Sequence, residues 1–381
     1  MTTTYPSAEA LLAEAVEETG LSDFGPGDFR EGLDAQLESL ATDGDLSQEG
    51  AQVPVDAFRR RLVNRLQLES WYTEHPEVDD LEVGGPVDIN GLPRTGTTAL
   101  ANMLSLDPQF RCLRQWEQLQ PCPPPVLDEE ESDPRRAAHL REIEGHSAEL
   151  KAMHIFDNEA TSEDTEVLGM AFHGQQAILP VYGYQAWWRA ADMRPTYEYH
   201  RRVVKLLQSR RPPDTWLFKA PHHNFHLEAI VAAYPEARFV MTHRDPVKAV
   251  PSWVSICSAL LPEAEGERDM HRLGQALGEH LRVGVEQAMA ARSRLGDDRF
   301  LDIHHRRMIA DPMGTVASIY DFLDLELTPA VEQAILDWSD ANRSGAHGTH
   351  RYTAEQFGLT NAQLRSDFEA YTSHYDVELE V

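Results

Sequence analysis

Residues able to do chemistry first gather between Pro86 and Leu106, in PVDINGLPRTGTTALANMLSL. Gly91 and Gly96 bracket four residues, the spacing of a loop that cradles phosphate, but Thr97-Thr98 follow where a nucleoside-triphosphate loop would carry Lys. A strand over residues 87–90 is expected to run into this turn. A helix should start near Thr97 and carry Leu100, Met103, Leu104 and Leu106. Such a turn aims backbone N–H groups and the positive end of a helix at one point, which favours an anion. Thr97 and Thr98 add hydroxyl donors, and Arg94 adds a guanidinium that can hold two anionic oxygens at once.

A second cluster lies in THRDPVKAVPSW. Arg244 follows an expected strand, and Ser252 comes eight positions later on the next helix. The two can converge on a second phosphate. Asp245 is expected to cap that helix, with Pro246 in its first turn, which would leave Arg244 free for a ligand.

The elements that must hold these clusters alternate between strand and helix. Strands are expected over 87–90, 216–219, 238–242 and 300–303. Between and after them, helices are expected over 196–208, 225–233, 269–295 and 315–323. That pattern predicts an α/β fold: a P-loop-like, mostly parallel sheet flanked by helices. Ligands of such sheets sit beyond the carboxyl ends of the strands, which puts Arg94 and the residues after Lys219 and Thr242 on one rim. Residues 1–84 show helical spacing at Leu11, Leu12, Ala15 and Val16, and at Phe29, Leu33, Leu37 and Leu40. They are expected to form a helical cap packed on a main domain of residues 85–381. Residues 128–151 are charged and expected to be helical, and 172–189 is aromatic-rich without a clean period.

Size and charge set limits. The 381 residues can bury a sizeable core. No apolar run approaches the ~20 residues of a membrane span, and the N-terminal stretch lacks the basic start and apolar core of a signal peptide. A formal net charge of −29 argues against wholesale binding to nucleic acid or anionic lipid, and it makes local basic residues informative. Cys112, Cys122 and Cys257 match no metal spacing and leave one thiol unpaired in any disulfide scheme, pointing to a reducing cytoplasm. No metal site is expected among the histidines, and nothing sets an oligomeric state.

The loop GLPRTGTT, followed by a strand-end Arg and a Ser eight residues on, resembles the sulfotransferases that use 3′-phosphoadenosine 5′-phosphosulfate. The Pro-Arg-Thr-Gly-Thr-Thr form is similar to the bacterial and tyrosylprotein branches, where Arg replaces the cytosolic enzymes' Lys. The likeness runs through LFKAPHHNFHLEAIVAAYPEARFVMTHRDP and ADPMGTVASIYDFLDL to HGTHRYTAEQFGL, about residues 85 to 360. It implies that Arg94, Thr95, Gly96, Thr97 and Thr98 bind the 5′ side of the donor and that Arg244 and Ser252 bind its 3′-phosphate. His350, Arg351 and Tyr352 would belong to a loop that closes over the nucleotide. It further implies in-line transfer of a sulfuryl group to an acceptor hydroxyl, with Arg94 stabilising the leaving phosphate. Lys219 would contact the transferred group, and a general base would accept the hydroxyl proton.

Two residues compete for the base. His223 stands in KAPHH, where related enzymes often carry His. Glu117, in RQWEQLQP, stands slightly later than the Glu of the tyrosylprotein branch. The aromatic stretch with Phe172, Tyr182, Tyr184, Trp187 and Trp188 suits either an apolar acceptor body or ordinary core. The alternative activity, a phosphotransferase or nucleotide hydrolase of the same architecture, would want Lys where Thr97 stands and an acidic strand end for Mg²⁺.

Overall fold

A computed structural model describes residues 3–145, 157–174, 178–342 and 352–380. Its centre is one parallel sheet of five strands: β1 (Val87–Gly91), β2 (Phe110–Cys112), β3 (Thr215–Lys219), β4 (Arg238–His243) and β5 (Phe300–His304), in the order β2-β3-β1-β4-β5. The middle strand β1 is buried along its whole length, as expected for a parallel sheet covered on both faces. Its register sets Ile89 beside Lys219 and Gly91 beside Thr242, so three carboxyl ends open on one edge of the sheet, β3 two residues short of β1.

Alternation of side chains sorts the sheet into two cores. Val87, Ile89, Leu217, Val240 and Ile303 pack with Leu100 and Leu104 of α4 (Thr97–Leu104, the fourth helix) and with Val316 and Ile319. On the other face Trp216, Phe218, Phe239 and Met241 join the three N-terminal helices, α1 (Ala8–Thr19), α2 (Phe29–Asp43) and α3 (Gln48–Glu74), through Leu11, Leu33, Phe58, Leu62 and Leu66. The expected N-terminal cap therefore shares a core with the sheet. Each fully buried Leu or Phe there stabilises the packing by about 2 kcal/mol.

Several expectations needed adjustment. Strand β2 was not foreseen: three residues are too few to show a period. The first helix after the loop stops at Leu104 rather than Leu106. In the charged stretch a 3₁₀ turn at Leu127–Ser132 precedes the helix Pro134–Gly145, because the residue before a proline is pushed out of the helical region. The expected remainder of that helix reaches residues outside those described. In the aromatic stretch, Tyr182–Ala190 is a helix burying Tyr184, Gln185 and Trp188, a face hidden in the sequence by aromatic neighbours on every side. Among the described residues no helix is long and apolar enough to cross a membrane.

Candidate active site

The loop between β1 and α4 is built by its small and unusual residues. A Cβ on Gly91 would collide with the Thr242 carbonyl of β4, and Gly91 sits at φ 131°. Arg94 has φ 67°, a conformation that a non-glycine residue adopts only when its surroundings hold it there. Thr95 is fully buried; its hydroxyl bonds Leu92 O at 2.6 Å and lies 2.5 Å from Thr242 Oγ1. Thr95 thus ties the loop to β4 from beneath, and its side chain does not face a ligand. Gly96 caps α4 with no side-chain acceptor. The N–H groups of Thr97 and Thr98 have no intrahelical partner, which leaves an anion seat at this helix start.

The two arginines are tied together at this seat. Arg244 Nη1 donates to the Arg94 carbonyl at 3.0 Å, and Arg94 Nε donates to Ser252 Oγ at 3.2 Å. Ser252 lies on the helix Pro246–Leu260, which Asp245 caps as expected by accepting from Val247 N at 3.0 Å. Arg94, Arg244 and Ser252 are brought together. Burial lowers the Arg94 pKa from its ordinary value, offset in part by nearby Tyr352 and Glu163, while the Arg244 charge adds to the lowering. Tyr352 is accordingly close to Arg94; His350 and Arg351 lie outside the described residues.

One expectation about Arg244 does not hold. It is not free, because its remaining edge is held by Glu380, with Nε to Oε1 at 2.9 Å and Nη2 to Oε2 at 3.4 Å. The sequence reading also missed His305, whose pKa falls to about 4 through burial and through the charges of Arg244 and Arg94. The imidazole is thus neutral between the two guanidiniums. A carboxylate already seated on Arg244, an uncapped helix start and two convergent guanidiniums fit a doubly phosphorylated ligand.

On the other side of β1, Lys219 closes β3 with its side chain fully buried and its Nζ 3.3 Å from Glu163 Oε1. Glu163 is 29% exposed, so this carboxylate meets solvent while Lys219 does not. Its backbone is fixed by Gln118 Nε2, which donates to the Glu163 carbonyl at 3.0 Å, and by Asp164, which accepts from Lys219 N at 3.3 Å. No sequence period marks Glu163. It is joined to Lys219 only by the fold.

The two residues competing for the base are placed differently. Glu117 is fully buried: one oxygen accepts from Arg111 Nη2 at 2.9 Å and the other from Arg114 N at 3.0 Å. Arg111 also donates to Leu207 O at 2.8 Å and sits 4.5 Å from the Trp216 ring centroid. Glu117 therefore belongs to an internal ion pair and helix cap. His223 is buried with Nδ1 2.7 Å from Asp88 Oδ1 and Nε2 3.6 Å from Asp164 Oδ2. Burial alone would lower its pKa, but the carboxylates of Asp88 and Asp164 prevail and raise it. Its second nitrogen, Nε2, is buried and turned toward Asp164, a placement that suits a structural role. Its neighbour His222 is pushed well down by burial and by the surrounding histidines.

The aromatic stretch is mainly core: Tyr184 Oη donates to Phe172 O at 3.0 Å and to Gly174 O at 2.8 Å, and Trp188 donates to the His173 carbonyl. Among the described residues no group of three or more His, Cys, Asp or Glu side chains is placed to hold a metal ion.

Comparison with known proteins bears on this geometry. The profile described as "Sulfotransferase family" matches residues 86–329. Sulfotransferase STF9 from Mycobacterium avium is similar over the whole chain and 98% of its own, with 31% identity and a TM-score of 0.88. Sulfotransferase STF1 from Mycobacterium tuberculosis H37Rv covers 96% of this chain and 99% of its own, at 29% identity and a TM-score of 0.84. The curated omega-hydroxy-beta-dihydromenaquinone-9 sulfotransferase Stf3 of Mycobacterium tuberculosis is 25% identical over 172 residues, 42% of this chain and 41% of the relative. The chain thus matches about two fifths of that relative's length.

Proposed function

This chain is a member of the sulfotransferase family, and from that premise we propose that it moves a sulfuryl group from 3′-phosphoadenosine 5′-phosphosulfate to a hydroxyl of a small, largely apolar acceptor. The observation carrying the proposal is the convergence of Arg94, Arg244 and Ser252 from two neighbouring strand tips. The bound donor supplies an activated sulfuryl group on a phosphate leaving group.

In this reading Arg94 and the first-turn N–H groups of Thr97 and Thr98 hold the 5′-phosphosulfate, and Gly96 supplies the positive φ and the room for Met308 that the turn needs. Arg244 and Ser252 hold the 3′-phosphate, with Tyr352 beside Arg94. Arg94 and the helix start spread the charge that grows on the leaving phosphate. Lys219, its ammonium buried beneath Glu163, supplies positive charge behind the transferred group, and Glu163 takes the proton of the acceptor hydroxyl on the oxygen that Lys219 leaves open. Of the carboxylates considered, Glu163 combines partial exposure with a place between Lys219 and Arg94. Glu117 and His223 hold the scaffold.

The apolar acceptor is inferred from the relative whose name specifies an omega-hydroxy-dihydromenaquinone. Three unpaired thiols, all buried, support a cytoplasmic setting. The phosphotransferase alternative gains nothing from the site, where Thr97 stands in place of Lys.

Calorimetry with adenosine 3′,5′-bisphosphate and ATP tests the donor half. The bisphosphate should bind about 10- to 100-fold more tightly, the worth of one charged phosphate contact set. Equal affinities would support a triphosphate-using enzyme instead. Incubating donor with long-chain omega-hydroxy isoprenoids should then add the mass of one sulfuryl group to the acceptor.

A further inference from the structure

Residues 376–380 cross the mouth of the Arg244 seat and leave a cleft of about 270 Å³. Arg244, His305, Arg306 and Arg307 line it from the sheet side, and Glu378 and Glu380 line it from the crossing segment. The segment from Val377 to Glu380 has no regular secondary structure. Glu378 pairs with Arg306 and Glu380 with Arg244, while Leu379 between them is 55% exposed.

Glu380 is held in place by more than its side chain. Its N–H donates to Asp245 Oδ2 at 2.6 Å, and its carbonyl accepts from Arg365 Nη2 at 3.1 Å. Asp245 is the cap of the helix that carries Ser252. The backbone of the strap is thus tied to the same turn that presents Arg244, and the carboxylate falls on the Nε–Nη2 edge. That is the edge left after Nη1 has bonded the Arg94 carbonyl. It is also the edge through which a guanidinium holds phosphate with two parallel bonds.

We propose that Glu380 is a built-in competitor for the donor's 3′-phosphate: it neutralises Arg244 when the seat holds no nucleotide and must swing away for a 3′-phosphorylated nucleotide to bind. This inference rests on the reading of Arg244 as the 3′-phosphate residue. The competition weakens ligands that carry a 3′-phosphate and leaves alone those that do not, because only the former need the edge Glu380 occupies. It therefore trades donor affinity for easier loss of the bisphosphate product. The pair is partly exposed, at 24% for Arg244 and 22% for Glu380, so the carboxylate can leave without unfolding the strap.

Calorimetry of adenosine 3′,5′-bisphosphate and adenosine 5′-phosphate on wild type, Glu380→Gln, Glu380→Ala, Glu378→Gln and Arg244→Ala tests this. Both Glu380 variants should bind the bisphosphate about fivefold more tightly, the size of one partly exposed ion pair, with the monophosphate unchanged within about twofold. Glu378→Gln should leave both ligands unchanged. If Arg244→Ala loses bisphosphate affinity but neither Glu380 variant gains any, the competitor is refuted while Arg244 keeps its role. If Glu378→Gln tightens binding as much as Glu380→Gln, general charge is responsible and the site-specific account fails. If Arg244→Ala binds both nucleotides as wild type does, the assignment of Arg244 itself is wrong and the competitor falls with it.

Discussion

The two sides of β1 hold charge in opposite ways. Toward β4, Arg94 and Arg244 end in bonds that a ligand can replace: a serine hydroxyl for one and the mobile-length side chain of Glu380 for the other. Toward β3 the buried polar groups pair among themselves, with His200 Nδ1 2.7 Å from Tyr234 Oη and Nε2 3.2 Å from Asp164, and His223 Nδ1 2.7 Å from Asp88. Groups sealed from water must satisfy one another, since an unpaired buried charge costs several kcal/mol. Groups at an open rim need not. Buried mutual pairing therefore marks the scaffold on the β3 side, and partners that a ligand can replace mark the β4 side. The Lys219–Glu163 pair stands at the border, with the lysine sealed and the carboxylate partly in solvent.

The sharpest way to break this division is Glu163→Gln. The amide keeps an acceptor for Lys219 but cannot take a proton, so turnover should fall about 10³-fold with bisphosphate affinity unchanged. Steady-state rates beside calorimetry check it. Full turnover would move the base elsewhere, and a parallel loss of nucleotide affinity would make Glu163 a binding residue. Next in size are the sealed groups. Glu117→Gln leaves Arg111 buried without its counter-charge, and His223→Leu does the same to Asp88. Each should cost about 3–5 kcal/mol of stability in a denaturant titration. Because these groups hold the scaffold, the folded fraction should keep its turnover within about threefold. A 10²-fold loss in either folded variant would return that residue to the chemistry.

What was legible in the chain follows the reach of each contact. Arg94, Arg244, Asp245 and Ser252 were readable because a turn and a cap are decided within a few residues, and the structure brings these residues together. The resemblance implies that Thr95 binds the donor, and the partner of its hydroxyl, Thr242, is on another strand, 147 positions away. The partner of Glu117 was hidden for want of β2. Without that three-residue strand nothing announces that Arg111, six positions earlier, claims its carboxylate. Asp88 carried a signal that went unused: an acid inside a strand buried on both faces must find a buried partner, and the partner is His223. Glu163 and Glu380 had none, because their partners Lys219 and Arg244 lie 56 and 136 positions away.

The smallest expected effect asks whether the buried histidines behind β3 belong to the scaffold. His280, on the helix Met270–Leu295, lies 4.4 Å from the Phe225 ring and 5.7 Å from the Trp188 ring, centroid to centroid. Burial, then the charges of Arg189 and His226, lower its pKa to about 3. The unfolded chain titrates the same group near 6.5, so between about pH 6.5 and pH 3 the unfolded state binds the extra proton. The stability contributed by neutral His280 is therefore complete above pH 6.5 and is lost as pH falls through that window. His223 has the opposite sign: its pKa is raised, so its contribution is complete below about pH 6.5 and fades as pH rises past its folded value. Replacing His280 with Phe removes one descending contribution and keeps a ring between Phe225 and Trp188. From pH 6 to pH 5 the variant should lose about 1.4 kcal/mol less stability than wild type, read from paired denaturant titrations. Its pH–rate profile should superimpose on that of wild type. A displaced acid limb would mean that His280 acts on the reaction and that the division at β1 does not extend to this helix.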